Sequence, residues 1–394
     1  MELDINELVK IGQLEQYSGK KVAVGLSGGV DSAISAYLLK RAGAEVKGVF
    51  MKNWAGEAGL DGSCPWEEDL RSAAEVADFL RIEFESVNFE KEYKKYVLDN
   101  FFAEYEAGRT PNPDILCNSE IKFKAFLDYV VAEGFDYVAT GHYAKVERLS
   151  LQPSAIAKEI EGYFLTRPKD RVKDQTYFLS ALDQSQLSRS VFPLANYEKS
   201  QVRALASFVG LPNAARPDSQ GICFVGDIDV RQFLANHLKP EQGQIIDIDS
   251  GKVVGSHNGM SLYTIGQREG LGLGGFAVPY YVVAKSANEN AVYVGTGRNH
   301  PLLNKTQVRF SDLTWQHPDL AKLNTQELNS LGLSAAVRYR QKPAPGSLAE
   351  PLAEQREQGL GQFEFISAQW AIAPGQSIVF STSDGVTIGR AIIS

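Results

Sequence analysis

Ser27-Gly28-Gly29-Val30-Asp31-Ser32 joins an apolar run, Lys21–Leu26, to a helical pattern from about Ser32 to Arg41. A turn of this kind gathers backbone N–H groups and a helix N-terminus around one spot, an anion site suited to phosphate. The glycines allow close backbone approach and the serines add hydroxyl donors. Asp31 repels phosphate unless it caps the helix or holds a magnesium ion. The Lys-Ser/Thr ending of a P-loop NTPase is missing. A tight strand–helix turn without a ligand also fits, but six matched residues in this setting favour phosphate.

The other reactive side chains are three cysteines, Cys64, Cys117 and Cys223. They form no CxxC pair and are too few to build a disulfide framework, and with five histidines in the chain no zinc or iron–sulfur site is expected. Their chemistry is therefore redox or nucleophilic. Two prolines make Thr110–Leu116 an extended loop, so Cys117 falls just before a helix near Ser119–Val131, capped by Asn118 or Ser119. A helix N-terminus stabilises a thiolate, and Asp114 lies three residues away. A buried structural cysteine with a turn aspartate fits the same residues. Cys223 lies in a glycine-flanked segment where the α/β pattern gives way to a β-rich one. Cys64 has nothing activating beside it, and no catalytic role is expected.

Elements must hold these groups in place. After the first strand come strands at Glu45–Met51, Ile82–Phe89 and Tyr137–Thr140, alternating with helices at Trp66–Leu80, Tyr93–Tyr105 and Ser119–Val131. That alternation predicts a doubly wound parallel sheet. Gly43 stands where a helix C-cap glycine belongs. Leu149–Gly162 reads as an exposed insertion. Beyond residue 225 a short helix, Val230–His237, precedes hairpin patterns (Gln244–Ile248 with Val253–His257, Tyr281–Lys285 with Val292–Gly295). From about residue 305 short strands with Gly and Pro turns suggest a β-barrel, with Pro343–Gln362 as a surface loop. The expected architecture is an α/β Rossmann-like domain over 1–225 with an N-terminal extension over 1–20. A central β-rich domain over 226–300 and a C-terminal β-barrel over 301–394 complete it.

At 394 residues and 43.2 kDa, several domains are expected. No run approaches the roughly 20 apolar residues of a membrane span, and the N-terminus lacks the apolar core of a signal peptide. A cytoplasmic protein without a membrane partner is expected. The net charge of −8 argues against a protein that coats nucleic acid. From residue 301 onward, however, eight basic residues balance eight acidic ones. In Ala336–Lys342 the alternation of Arg338, Arg340 and Lys342 would set all three on one strand face, suited to a phosphate backbone.

SGGVDS after a first strand resembles the pyrophosphate loop of the PP-loop ATP pyrophosphatases. With GRTPNPDILCN, ATGHYAKV, KDQTYFL, GICFVGD, TIGQREGLGLGG, AVRYRQ and APGQSIVF in this order, the chain resembles the tRNA-specific 2-thiouridylases over about residues 20–394. The resemblance implies that Gly25, Leu26, Ser27, Gly28, Gly29, Val30, Asp31 and Ser32 cradle the pyrophosphate of ATP, with magnesium. Met51 would lie against adenine, and Gly141 would close the pocket. It further implies 2-thiolation of the wobble uridine of the tRNAs for Lys, Glu and Gln. Cys223 would carry a persulfide loaded by a sulfur-donor protein. Cys117 would attack as the nucleophile or release the terminal sulfur, ending in a Cys117–Cys223 disulfide, with Asp114 as general acid/base. Asn112, Pro113 and Asp114 would surround the flipped base. His142, Lys173, Asp174, Gln175, Arg338, Tyr339 and Gln376 would contact tRNA.

The sequence departs from the family's usual residues at Ser119, where Lys or Arg is usual, at Ala33 (Ser) and at Gln220 (Thr). An amide-forming ligase of the same superfamily is the nearest rival. It would need an ammonia source, which no segment suggests, and would not need two cysteines.

Overall fold

The computed structural model describes residues 13–54, 65–218, 230–239, 241–350 and 360–394. Cys64, Cys223 and Gln220 lie outside them. The chain runs β1 (Lys21–Gly25), α1 (Val30–Arg41), β2 (Glu45–Lys52), α2 (Pro65–Leu80) and β3 (Glu83–Asn88). Helices over 90–106 (α3) and 113–132 (α4) lead to β4 (Tyr137–Ala139). A hairpin of β5 (Lys145–Leu151) and β6 (Ile160–Thr166) follows, then β7 (Ser190–Val191) and α5 (Lys199–Val209).

β1 is buried from Val22 onward, as a strand covered on both faces must be. It is the middle of a five-stranded sheet of order β3-β2-β1-β4-β7, parallel throughout. Because β2 and β4 flank β1 on opposite sides, the strand order reverses between β1 and β4. In an open α/β sheet the ligand crevice lies at that switch point, beyond the carboxyl ends of the strands. One face is covered by α1, α2 and α5 through Ile34, Leu38, Val76 and Leu205. The other is covered by α3 and α4 through Val97, Ile121, Phe123 and Phe126. Helix α1 ends as its glycine foretells. Gly43 sits at φ +87°, and the N–H groups of Gly43 and Ala44 reach the carbonyls of Lys40 and Leu39, both at 3.1 Å.

After α6 (Val230–Leu238), β8 (Gly243–Asp247), β9 (Val253–His257), β10 (Tyr280–Ser286) and β11 (Ala291–Thr296) make a mixed sheet of order β10-β11-β8-β9 around Ile245, Val282 and Val292. The remaining strands are β12 (Asn304–Trp315), β13 (Ser334–Ala336), β14 (Ala344–Leu348), β15 (Gly361–Trp370), β16 (Ser377–Ser381) and β17 (Thr387–Ile393). They form a six-stranded antiparallel barrel, closed by the β12–β17 pairing.

Three expectations are corrected. Leu149–Gly162 is largely exposed only at its tip, over 152–159: its ends belong to the β5–β6 hairpin, which joins the barrel's sheet through Thr387 and Leu165 and sends Leu151 and Ile160 into the barrel core. Its alternating pattern was hidden by the Pro-Ser-Ala turn. Pro343–Gln362 is not one loop, since Ala344–Leu348 is β14 and Gly361 opens β15. Arg338, Arg340 and Lys342 do not share a strand face. β13 stops at Ala336, where the Gln341 side chain accepts the Val337 N–H at 2.9 Å, and Arg340 turns the chain at φ +62°.

Candidate active site

The loop after β1 is held open by its own serines and by residues far along the chain. The Ser27 N–H donates to Ser32 Oγ at 3.2 Å, and that hydroxyl donates to the Gly29 carbonyl at 3.0 Å. Gly28 is left-handed at φ +77°, and a Cβ there would lie 2.5 Å from the Asp69 carbonyl oxygen, so only glycine fits. Its carbonyl accepts from Ser72 Oγ at 2.8 Å, Asn213 Nδ2 at 2.9 Å and Arg216 Nη1 at 3.2 Å. In a trans peptide the carbonyl and the following N–H point oppositely. Pinning the Gly28 carbonyl therefore turns the Gly29 N–H toward the inside of the loop, where Ser27 Oγ lies 3.4 Å away. Gly29 is the N-cap of α1 and offers no side-chain cap, which leaves the helix's first N–H groups for an anion.

Two further residues crowd this loop. A Cβ on Gly141, just past β4, would fall 2.7 Å from the Ser32 nitrogen. Only glycine lets the two loops at the switch point close on each other. Met51 is buried at the end of β2, its Cε 2.8 Å from where a Gly25 Cβ would stand.

Asp31 neither caps the helix nor stands free for a metal. Lys199 Nζ, at the start of α5, lies 2.8 Å from both of its carboxylate oxygens, and the Tyr143 hydroxyl donates to Oδ1 at 2.9 Å. Burial and then Asp31 push the Tyr143 hydroxyl far up, so it stays a donor. Lys199 also reaches Asp218 at 2.7 Å, which takes Lys173 at 2.9 Å and Arg203 as well. Burial would raise the Asp218 carboxyl, but hydrogen bonds from Lys199 and Lys173 hold it well below the usual carboxylate range. Asp218 is the last described residue before the Cys223 segment. Among the described residues no cluster of His, Cys, Asp and Glu suits a metal ion.

Cys117 does not precede its helix, as expected from the prolines. Pro113 is the first helical residue and Asn112 the N-cap, which puts Asp114 in the first turn and Cys117 within the helix. Proline at that position costs nothing, because the first N–H groups have no intrahelical partner. At Cys117 the helix widens into a π-helical stretch running to Ala125, a distortion frequent at functional sites. The thiol is fully buried in the same apolar cluster as Met51. The loop ahead of it is held by the barrel: Gln376 Nε2 donates to the carbonyls of Thr110 at 2.7 Å and Pro111 at 3.2 Å, and the Thr110 N–H reaches Pro374 O at 2.9 Å.

The remaining expected RNA residues are engaged within the protein. His142 is buried, its Nδ1 2.7 Å from Thr140 Oγ1; burial and then Lys122 lower its pKa, so the ring is neutral. Gln175 Oε1 accepts the Tyr143 N–H at 2.9 Å, and Asp174 accepts the Thr176 N–H at 3.0 Å and pairs with Arg167 at 3.2 Å. Arg338 donates to the Trp370 carbonyl at 3.1 Å, and Tyr339 packs on Phe178 with ring centres 4.3 Å apart. Sequence reading missed Lys199, Tyr143, Asn213 and Arg216. For Lys199 a signal existed: a cation in the first turn of a helix opposes the dipole and calls for a carboxylate.

Known families and relatives match nearly the whole chain. Residues 20–227 match the family described as a tRNA methyl transferase HUP domain, and residues 231–296 match the tRNA methyl transferase PRC-barrel domain. The tRNA-specific 2-thiouridylase MnmA of Bordetella petrii is 44% identical over 385 residues, spanning 95% of this chain and 97% of its own. That of Methylobacillus flagellatus is 45% identical over 380 residues, spanning 95% and 99%. Among solved structures, NMN synthetase from Francisella tularensis overlaps 60% of this chain and 87% of its own at 16% identity, with a TM-score of 0.32, too low to bear on the fold. At such identity over nearly its whole length, this chain belongs to the family of tRNA-specific 2-thiouridylases.

Proposed function

We propose that this chain uses ATP to replace the C2 oxygen of a tRNA wobble uridine with sulfur. The uracil oxygen is a poor leaving group. Its attack on the α-phosphate of ATP expels pyrophosphate and makes AMP the group to be displaced. Gly25–Ser32 hold the pyrophosphate, magnesium accompanies it, Met51 packs on adenine and Gly141 closes the pocket. The observation that carries this reading is one buried apolar cluster behind both groups. Cys117, on α4 three residues after Asp114, shares it with Met51, whose Cε lies 2.8 Å from the place of a Cβ on Gly25 at the start of the glycine loop.

Sulfur arrives as a persulfide on Cys223, loaded by a donor protein in the cytoplasm. In one order of events its terminal sulfur attacks C2 and AMP leaves. The Cys117 thiolate then attacks Cys223 Sγ, which releases the thiouridine and leaves a Cys117–Cys223 disulfide for an external reductant. In the other order Cys117 frees the sulfur first, as hydrosulfide, and the same disulfide results. Asp114 moves the proton in either case. The substrates are the tRNAs for Lys, Glu and Gln, held in part by Lys173, Arg338 and Tyr339.

The test is thiolation of unmodified tRNA with ATP, magnesium and a persulfide source, read by mass analysis of nucleosides. Wild type should make 2-thiouridine, while Cys117→Ser, Cys223→Ser and Asp114→Ala should not. A wild-type protein that binds ATP but thiolates no nucleoside would point instead to a small-molecule ligase.

A further inference from the structure

Trp370 ends β15 at the seam between the middle sheet and the barrel, and two guanidiniums lie over its ring. Arg298 is 4.8 Å and Arg338 5.0 Å from the ring centre. Backbone bonds fix the arrangement: the indole N–H donates to the Arg298 carbonyl at 3.0 Å, and Arg338 donates to the Trp370 carbonyl at 3.1 Å. Arg340 lies 5.3 Å over Tyr339, which itself packs on Phe178.

Among the described residues no ion pair joins Arg298, Arg338 or Arg340 to a carboxylate, unlike Arg109, Arg203 and Arg216, and what gathers these three is their aromatic platforms. Burial and the neighbouring Arg298 both lower the Arg338 guanidinium, a cost that a bound anion would offset. The place is also significant. A Cβ on Gly266 would meet the Trp370 ring at 3.1 Å, and two residues earlier Thr264 Oγ1 lies 3.2 Å from Thr110 Oγ1. The cluster thus adjoins the loop that leads into Asn112.

We propose that Arg298, Arg338 and Arg340, with Trp370 and Tyr339 as their platforms, form a phosphodiester-binding face for the substrate RNA beside the Asn112 loop. The inference rests on the reading of tRNA as substrate. The resemblance reaches only Arg338 and Tyr339; Arg298, Arg340 and Trp370 extend the face across the seam. Rigid guanidiniums on aromatic rings suit phosphate and exposed bases alike.

The experiment is binding of an unmodified substrate tRNA transcript to the full chain by fluorescence anisotropy, over about 50 to 300 mM salt. Arg298→Gln should raise Kd severalfold and flatten the slope of log K against log salt by about one unit; Arg298→Gln with Arg340→Gln should flatten it by about two. Arg298→Lys should keep the wild-type slope, and ATP binding and Tm should not change in any of the three. A double variant with wild-type Kd and slope overturns the assignment, even if it loses sulfur supply from a donor protein, which would give the face to that partner. Should wild type itself show no salt-dependent tRNA binding, the RNA reading falls along with the inference.

Discussion

Lys199 holds Asp31 with both carboxylate oxygens at 2.8 Å and Asp218 at 2.7 Å, so one ammonium joins the glycine loop after β1 to the residue that opens the Cys223 segment. Its side chain is 15% exposed, and the two carboxylates about twice that. Removing it leaves two half-buried charges short of a partner. Lys199→Met should destabilise the protein by about 1–3 kcal/mol and weaken ATP binding about tenfold or more. Adding Asp31→Asn should recover part of the stability. A double-mutant cycle by thermal unfolding measures the coupling, and additive losses would show that the pair does not act as a unit.

Asp218 gives this network a pH signature. Its carboxyl is depressed in the folded chain, so its contribution is full above the unfolded value near 4 and lost as pH falls through the lower folded value. Urea midpoints between about pH 5 and pH 3 should therefore fall more steeply for wild type than for Asp218→Asn. Parallel curves would mean that Asp218 titrates alike folded and unfolded.

The triple acceptor at Gly28 predicts a phosphate-specific defect. Asn213→Ala and Arg216→Ala free the carbonyl that orients the Gly29 N–H. ATP affinity should drop about tenfold in each, with AMP binding nearly unchanged, because AMP does not engage the pyrophosphate. Gly28→Ala forces a side chain into φ +77° and against the Asp69 carbonyl. It should abolish ATP binding and cost about 1–2 kcal/mol or more in stability. Isothermal titration with both nucleotides separates these outcomes.

Cys117 is fully buried, yet the proposed reaction needs its thiolate in contact with a second sulfur. The free protein should react with a bulky thiol reagent at Cys117 far more slowly than when unfolded. ATP with tRNA should speed that labelling if the helix start opens on binding. Mass mapping of the labelled peptide over time checks this; equal rates with and without substrates would argue against an opening at Cys117.

What was legible in the sequence was local. SGGVDS could be read because a strand, a turn and a helix lie within a dozen residues, and Gly43 because a helix end leaves a mark on its next residue. Helix α4 was placed late because two prolines suggest a loop, although one of them suits a first helical position. The hairpin over 145–166 was missed because its Pro-Ser-Ala turn hid the alternation, and only its place against the barrel depends on a strand over two hundred residues on. Asn213 escaped because its partner is far away in sequence, and nothing in its neighbours records whom it meets; at Lys199 the first-turn cation called for a carboxylate without saying which.

That hairpin also bears on how the chain acquires its shape. β17 pairs with β12, β16 and β6, so it seals the barrel and gives the early hairpin its neighbour. On a ribosome that works from the N-terminus, β6 must wait with an unpaired edge until residues 387–393 emerge. A chain stopped short of them would leave two open seams far apart in sequence, each a template for another strand. Truncation there should produce aggregation rather than a smaller working enzyme.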